Sequence, residues 1–276
     1  MSDQNLTAES ILKEQPRLMP RDQFTFRCGR DLDCFTTCCR DVSIALTPYD
    51  VLRLKRAMRL DSSEFLEKYT LPLLGSEQKV PVVILRMDSE SKQCPFVSKQ
   101  GCGVYGDRPW ACRMYPLGVA APQRPTAAAQ PFHFVVRESL CHGHGLGGER
   151  SVSDWIADQG IEEYEMMARP FQELMLHEFW DRATALTPQQ AAMFYMACYD
   201  LDRFRRFVFE SRFLDLFEVD EARVEALRSD DEELLEFAQQ WLRFCLLGEK
   251  FMKIRRESRE AACQAEAQPI GPTKET

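Results

Sequence analysis

Cys28, Cys34, Cys38 and Cys39 fall within twelve residues, CGRDLDCFTTCC, and Cys94, Cys102, Cys112 and Cys141 follow at wider intervals. Thiolates bind zinc or iron because sulfur is soft and carries charge once its proton is lost, and a tetrahedral centre takes four of them. Eight thiols suggest two four-thiolate centres, although spacing alone does not say which thiols share one. The adjacent pair is informative. Neighbouring side chains point to opposite sides of an extended chain and diverge by about 100° on a helix. Cys38 and Cys39 can therefore serve different centres, or one can bind while the other packs. Cys34 and Cys38, four apart, share a face if their segment is helical. The other thiols arrive from distant loops, so metal binding would close the domain and contribute to its folding.

Other residues near these thiols have chemical potential. Arg108 and Arg113 flank Cys112. Guanidinium groups there could offset excess thiolate charge and donate hydrogen bonds to sulfur; the competing reading is a pair of structural salt bridges, with Asp107 among the partners. Cys141-His142-Gly143-His144 is a compact run of ligand types, but a glycine-rich turn showing two solvated histidines is the simpler reading. His133 and His177 read as structural, and Tyr105 and Tyr115 as packing residues. A lone nucleophilic cysteine would leave seven thiols unexplained, and a thiol-disulfide role would call for a CxxC, which is missing among the eight. HExxH, GxGxxG before a helix and GxxxxGK[ST] are also missing, so no nucleotide site is expected and no catalytic residue is assigned.

Composition narrows the class. Eleven cysteines, an odd number, in 276 residues argue against a small disulfide scaffold and for metal or redox chemistry in a reducing compartment. The net charge of −8 disfavours a general nucleic-acid surface. The opening MSDQNLTAESILKEQPRLMP lacks a cationic start and an apolar run, so no secretory signal is expected. The run VPVVIL (80–85) is far short of the roughly 20 residues a membrane span needs. These features predict a cytoplasmic chain without membrane segments.

The elements that must position the thiols can be read in outline. Thr47-Pro48 opens a helix over 46–58, with Asp50 near its exposed amides. Asp61 caps a second through Tyr69. VPVVILRM (80–87) and PFHFVVRES (131–139) read as strands, and 94–116 as loop. Beyond Gly148 the chain turns helical: 154–159 capped by Ser153, 161 to about 183 interrupted at Pro170, a helix from Thr187-Pro188, and one from about Asp231. Phe194, Ala197, Cys198, Leu201, Phe204 and Val208 form one apolar face. Leu234, Ala238, Trp241 and Cys245 form another, so Cys198 and Cys245 are expected to pack in the core. Cys263 lies in a polar tail. The fold class is α+β: a small loop-rich cysteine-cluster domain with short strands and helices (22–148), then an all-helical C-terminal domain (149–258). An N-terminal extension (1–21) and a flexible tail (259–276) flank them.

F-R-C…C…CC-R (26–40), LTPYD (46–50), CPF (94–96), C-x-V-Y-x-x-RP-x-x-CR-x-YP (102–116) and Cys-x-Gly (141–143) occur in that order. In this the chain resembles the YkgJ-type cysteine-cluster family, a zinc- or iron-chelating CxxCxxCC domain, over roughly residues 22–148. Its opening departs from the family pattern, with C-x5-C-x3-CC in place of CxxC steps, which bears most on Cys28. Members are often labelled iron–sulfur oxidoreductases, and a flagellin lysine methylase has a similar cluster. The resemblance implies a metallocentre with Cys28, Cys34, Cys38, Cys39, Cys94, Cys102, Cys112 and Cys141 as ligands. An iron–sulfur redox protein or oxidoreductase is favoured slightly over zinc. The alternatives are a zinc-stabilised scaffold whose helical half binds a protein partner, and a metal-handling chaperone. The partner is thus a protein or a small-molecule substrate, neither specified by the sequence.

Overall fold

A computed structural model describes residues 15–73, 79–122, 130–182 and 185–255. Cys263, the tail from 259 and residues 1–14 of the N-terminal extension lie outside the described residues. The chain divides into two compact units, Met1–Ala191 and Ala192–Thr276. No helix among the described residues is long and apolar enough to cross a membrane.

The first unit is α+β, built from small antiparallel pairings. β1 (Gln23–Phe26) runs beside β9 (His144–Ser151), with Gln23 opposite Ser151 and Phe26 opposite His144. β2 (Ala45–Leu46), β4 (Val82–Leu85) and β3 (Thr70–Leu73) form a three-stranded sheet in that order. β5 (Val97–Ser98) with β6 (Gly101–Cys102), and β7 (Leu117–Ala120) with β8 (Phe132–Val135), make two further pairs. The strands expected at 80–87 and 131–139 are present as β4 and β8.

α1 (Pro48–Met58) starts where the sequence indicates. Thr47 accepts from the Asp50 amide, and Asp50 accepts from the Thr47 amide, a reciprocal cap that satisfies two donors at once. Asp61 likewise caps α2 (Ser62–Tyr69). A short helix, α3 (Trp110–Met114), stands inside the stretch read as loop. α4 (Val152–Asp158) is capped by Ser151 instead of Ser153, because Ser151 is the last extended residue of β9 and accepts from the Asp154 amide. α5 (Ile161–Met175) runs through Pro170 without the expected interruption and ends earlier than 183. The residue whose carbonyl Pro170 leaves without an amide partner, Met166, is exposed. α6 (Phe179–Arg182) follows as a single turn.

One core of this unit joins both compositional halves of the sequence. Phe24, Phe26, Met114, Leu117, Val152, Trp155 and Ile161 are buried together, and Trp110, Tyr115 and Cys141 pack against them. Trp155 meets Phe24 and Phe26 edge to face at ring separations of 5.8 and 5.7 Å. The helices that follow Gly148 thus pack inside the first unit and hold α3 and the Cys141 segment.

The second unit is helical apart from one short strand pair. α7 (Pro188–Cys198) spans the point of division, and α8 (Leu201–Glu210), α9 (Phe213–Leu216), α10 (Glu221–Ser229) and α11 (Asp231–Leu242) follow. β10 (Phe217–Glu218) pairs with β11 (Lys253–Ile254). The expected stripe from Phe194 to Val208 is buried, but across two helices with a break at Tyr199-Asp200. Phe204, Phe213, Phe237 and Trp241 form its aromatic centre. Cys198 is buried as expected. Cys245 is exposed, contrary to its reading as a core residue. The backbone widens into a π turn over Arg243–Leu247, which shifts the inward face so that Leu246 is buried instead.

Candidate metal centre

The loop holding the first four cysteines is a succession of tight turns. Leu32 N–H donates to Gly29, Phe35 to Leu32, Thr37 to Cys34 and Cys39 to Thr36, all near 3.0 Å. Thr36 adopts a left-handed backbone with φ 68°, and a single 3₁₀ turn covers Thr37–Cys39. Cys34 and Cys38 therefore do not share a continuous helix. The turn at Thr36 separates them.

Backbone pairing brings the Cys28 and Cys141 segments together. Beyond the Phe26–His144 pairing, Arg27 N–H donates to the Gly143 carbonyl at 3.1 Å. Gly143 leaves no room for a side chain: a Cβ there would run into the Arg27 carbonyl and lie 2.9 Å from the Phe26 ring. His142 N–H points at Cys34 Sγ, 3.3 Å away, which ties the third cysteine to the same place. The His142 ring also bonds Asp33 through Nδ1 at 2.7 Å, and the ligand atoms of Asp33, Cys34 and His142 lie within 4.8 Å of one another.

A second neighbourhood forms around Cys39. The Cys94 amide donates to the Cys39 carbonyl at 2.8 Å, and Arg40 and Gln93 make a strand-like bridge alongside. β5 and β6 set Val97 opposite Cys102, so the chain returns towards Cys94, and Gly103 N–H closes the turn on the Phe96 carbonyl at 2.8 Å. Cys112 rides on α3. That helix is tethered by Asp50, whose Oδ1 accepts from the Trp110 amide at 2.8 Å. Asp50 is fully buried, so one carboxylate both caps α1 and anchors the Cys112 helix.

All eight thiols are free; Cys28 is exposed and the other seven half-buried. Burial raises Cys28, and the sulfurs of Cys38, Cys141 and Cys34 add to it. Burial pushes Cys112 up to about 12, with Cys94, Cys102 and Asp50 adding and Arg108 opposing. Cys94 and Cys102 are raised mainly by burial. Between the adjacent pair, a hydrogen bond from the Cys39 thiol holds Cys38 down to about 7, and the same bond, with burial, raises Cys39. Every raised thiol would lose a proton to bind a metal.

The two arginines have different surroundings. Arg108 feels Cys102 and Cys112, stacks 3.9 Å over the exposed Tyr105 ring, and bonds the Tyr105 carbonyl and Gln159 Oε1. Arg113 is bound to oxygen: its Nε donates to the Arg108 carbonyl at 3.0 Å and Nη1 to the Gln159 carbonyl at 2.7 Å. Its Nη2 reaches the Gly106 carbonyl and Tyr164 Oη, and the guanidinium lies 4.3 Å from the centre of the Tyr164 ring. Asp107 pairs with Arg53 at 2.8 Å.

Sequence reasoning missed two groups beside Cys141. His144 was read as solvated, yet both its ring nitrogens are buried and lack a hydrogen-bond partner among the described residues. Its ring lies 5.3 Å from Phe26 and 6.4 Å from Tyr115, because β9 turns it inward. The Tyr115 hydroxyl is likewise buried, with no nitrogen or oxygen partner among the described residues, and burial, then a hydrogen bond with the neighbouring Cys141 sulfur, raise it. Native proteins rarely leave such groups unpaired, and an ion or cluster is one of the standard explanations. Acceptor sulfurs of a thiolate-bound inorganic group would suit a hydroxyl and an imidazole N–H, so these residues fit a zinc or iron centre. His142 is exposed as read. His133 pairs with Leu18 through its backbone, and His177 Nδ1 accepts from the Phe179 amide at 3.1 Å, both structural roles.

No curated protein and no solved structure matches the chain. Residues 27–142 match the family model CxxCxxCC, described as "Putative zinc- or iron-chelating domain", and all eight clustered cysteines lie inside that match. The match covers the cysteine-bearing segment, under half of the chain, and agrees with the zinc- or iron-chelating domain that its motifs resemble.

Proposed function

We propose that the protein is an iron–sulfur redox protein, an electron carrier or an oxidoreductase, whose centre is held by the clustered thiols. The observation that carries this reading is the chemistry of the donors. Backbone pairings bring together cysteine-bearing segments far apart in sequence, the Cys28 with the Cys141 segment and Cys94 with Cys39, near a buried Tyr115 hydroxyl and a His144 imidazole without a hydrogen-bond partner among the described residues. An iron–sulfur core supplies one-electron chemistry at a potential set by charge, burial and hydrogen bonds to sulfur. The chain contributes those controls. Tyr115 is positioned to donate towards Cys141, Arg108 lessens negative charge near Cys102 and Cys112, and the Phe26–Trp155 core keeps water from one flank. Anaerobically purified protein should be brown, with broad visible absorption that bleaches on reduction and with acid-labile sulfide. Colourless protein carrying stoichiometric zinc would reject the proposal.

A zinc-stabilised scaffold is the second reading, supported by the scarcity of regular structure around the thiols. Cys38 and Cys39 lie in a three-residue turn, and Cys102 in a two-residue strand. Such segments depend on a metal for their fold, and the second unit would then be a surface for a protein partner. This reading predicts that chelation unfolds the cysteine-rich part; an apo-protein that stays folded refutes it.

A further inference from the structure

We propose that Asp33, Cys34 and His142 form an open site for a borderline divalent cation such as zinc or iron(II), with one position left to water. A carboxylate oxygen, the thiolate and an imidazole nitrogen are its three ligands. The inference rests on metal binding at Cys34 but parts from an all-thiolate set. It gives Cys34 oxygen and nitrogen neighbours and leaves the other seven thiols to the centre proposed above.

The three groups meet across a separation of 108 residues. Their ligand atoms lie within 4.8 Å of one another. Ligands at the bond lengths of zinc stand about 3–4 Å apart, so small side-chain rotations would close them on one ion. The backbone fixes the approach from both sides. Asp33 and Cys34 are the central residues of the turn that Phe35 N–H closes on the Leu32 carbonyl at 3.0 Å. His142 precedes Gly143, whose carbonyl accepts from Arg27 N–H and whose missing side chain permits that contact. The His142 amide donates to Cys34 Sγ at 3.3 Å, a bond that favours the thiolate. The His142 ring meets Asp33 Oδ1 through Nδ1 at 2.7 Å, so imidazole and carboxylate are already oriented on one another. Charge balances as well: one carboxylate and one thiolate neutralise a divalent ion, and the imidazole binds neutral. A mixed oxygen, nitrogen and sulfur set suits zinc, iron(II) or cobalt(II), whereas magnesium and calcium take oxygen alone. The His142 and Asp33 side chains are 55% and 77% exposed, so the ion would stay in contact with solvent and exchange. A surface ion pair, worth little by itself, accounts for Asp33 and His142 but not for the sulfur beside them.

Titration of the full chain with Co²⁺ tests the site, after anaerobic purification and mild chelation to clear exposed ions. Iron, zinc and acid-labile sulfide are counted in the same samples. Wild type should take up one Co²⁺ whose sulfur-to-cobalt charge-transfer band has the intensity of a single thiolate, about a quarter of that of a four-thiolate centre. Asp33→Ala, Cys34→Ser and His142→Ala should each weaken this uptake by more than the roughly 10–100-fold that loss of a supporting hydrogen bond causes. Cys34→Ser should also abolish the band, and all three should keep the wild-type content of iron, zinc and sulfide. His142→Gln, which can still hydrogen-bond Asp33 but is a poor ligand, should behave like His142→Ala. Equal uptake by wild type and His142→Ala would overturn the proposal and leave a surface ion pair. So would normal uptake by His142→Gln, or loss of the remaining metal and sulfide in Cys34→Ser. Circular dichroism of each variant separates ligand loss from unfolding. Cobalt uptake that depends on His142 in a chain without iron or sulfide would uphold the site while rejecting the iron–sulfur function. An iron–sulfur chain whose cobalt uptake ignores His142 would do the reverse.

Discussion

Replacing Arg113 by methionine separates a structural from an electrostatic role for the arginine beside Cys112. Its guanidinium serves three backbone carbonyls, those of Arg108, Gln159 and Gly106, and also touches the Tyr164 hydroxyl and ring. Methionine fills much of the volume but donates nothing. Three carbonyls left without a donor, some with water access, cost about 1 kcal/mol each, and loss of the ring contact adds roughly 0.5–1 kcal/mol. The expected destabilisation is about 3–4 kcal/mol. Spread over a unit of this size, that lowers the melting midpoint by about 10 °C. Lysine, which lacks the planar fork, should recover only part of it. Tryptophan fluorescence is a suitable probe, because Trp110, Trp155 and Trp180 all belong to the first unit. Below the transition the variant should keep the metal content and optical spectrum of wild type. A variant that melts within about 1 °C of wild type but has an altered spectrum or potential would refute this reasoning and return Arg113 to the sulfurs.

Three further outcomes are expected. Asp50→Ala leaves the Trp110 and Thr47 amides without their acceptor and should destabilise the first unit by about 2–4 kcal/mol; urea unfolding reads this, and a change under 0.5 kcal/mol would show that α1 and α3 are held otherwise. Gly143→Ala drives a methyl group into the Arg27 carbonyl and should spread the Cys28 and Cys141 segments, so metal content falls below that of wild type; unchanged content would mean that the close approach is dispensable. Tyr115→Phe removes a buried hydroxyl that has no nitrogen or oxygen partner among the described residues. It should therefore leave apo-protein stability equal or higher and weaken the loaded protein by about 1 kcal/mol, with a lower reduction potential if the centre is iron–sulfur. Equal effects on both forms would place the hydroxyl away from the centre.

The sequence by itself determined the donors and the elements with strong local codes. Cysteine chemistry depends on residue type and count, and Thr47-Pro48 with Asp50 or Asp61 before Ser62 specify helix starts through contacts within four residues. The apolar faces around Phe204 and Trp241 were legible from their period for the same reason. Tertiary structure decided the rest. Which cysteine-bearing segments meet depends on Arg27 reaching Gly143 and Cys94 reaching Cys39, bonds between residues 116 and 55 positions apart that no local pattern encodes. His144 turned inward because β9 pairs with β1, and Cys245 turned outward because one helix end widened. The change of composition near Gly148 marks where strands and turns give way to helices. Burial ignores that line, since Trp155 and Ile161 supply apolar surface that Phe24 and Phe26 must cover.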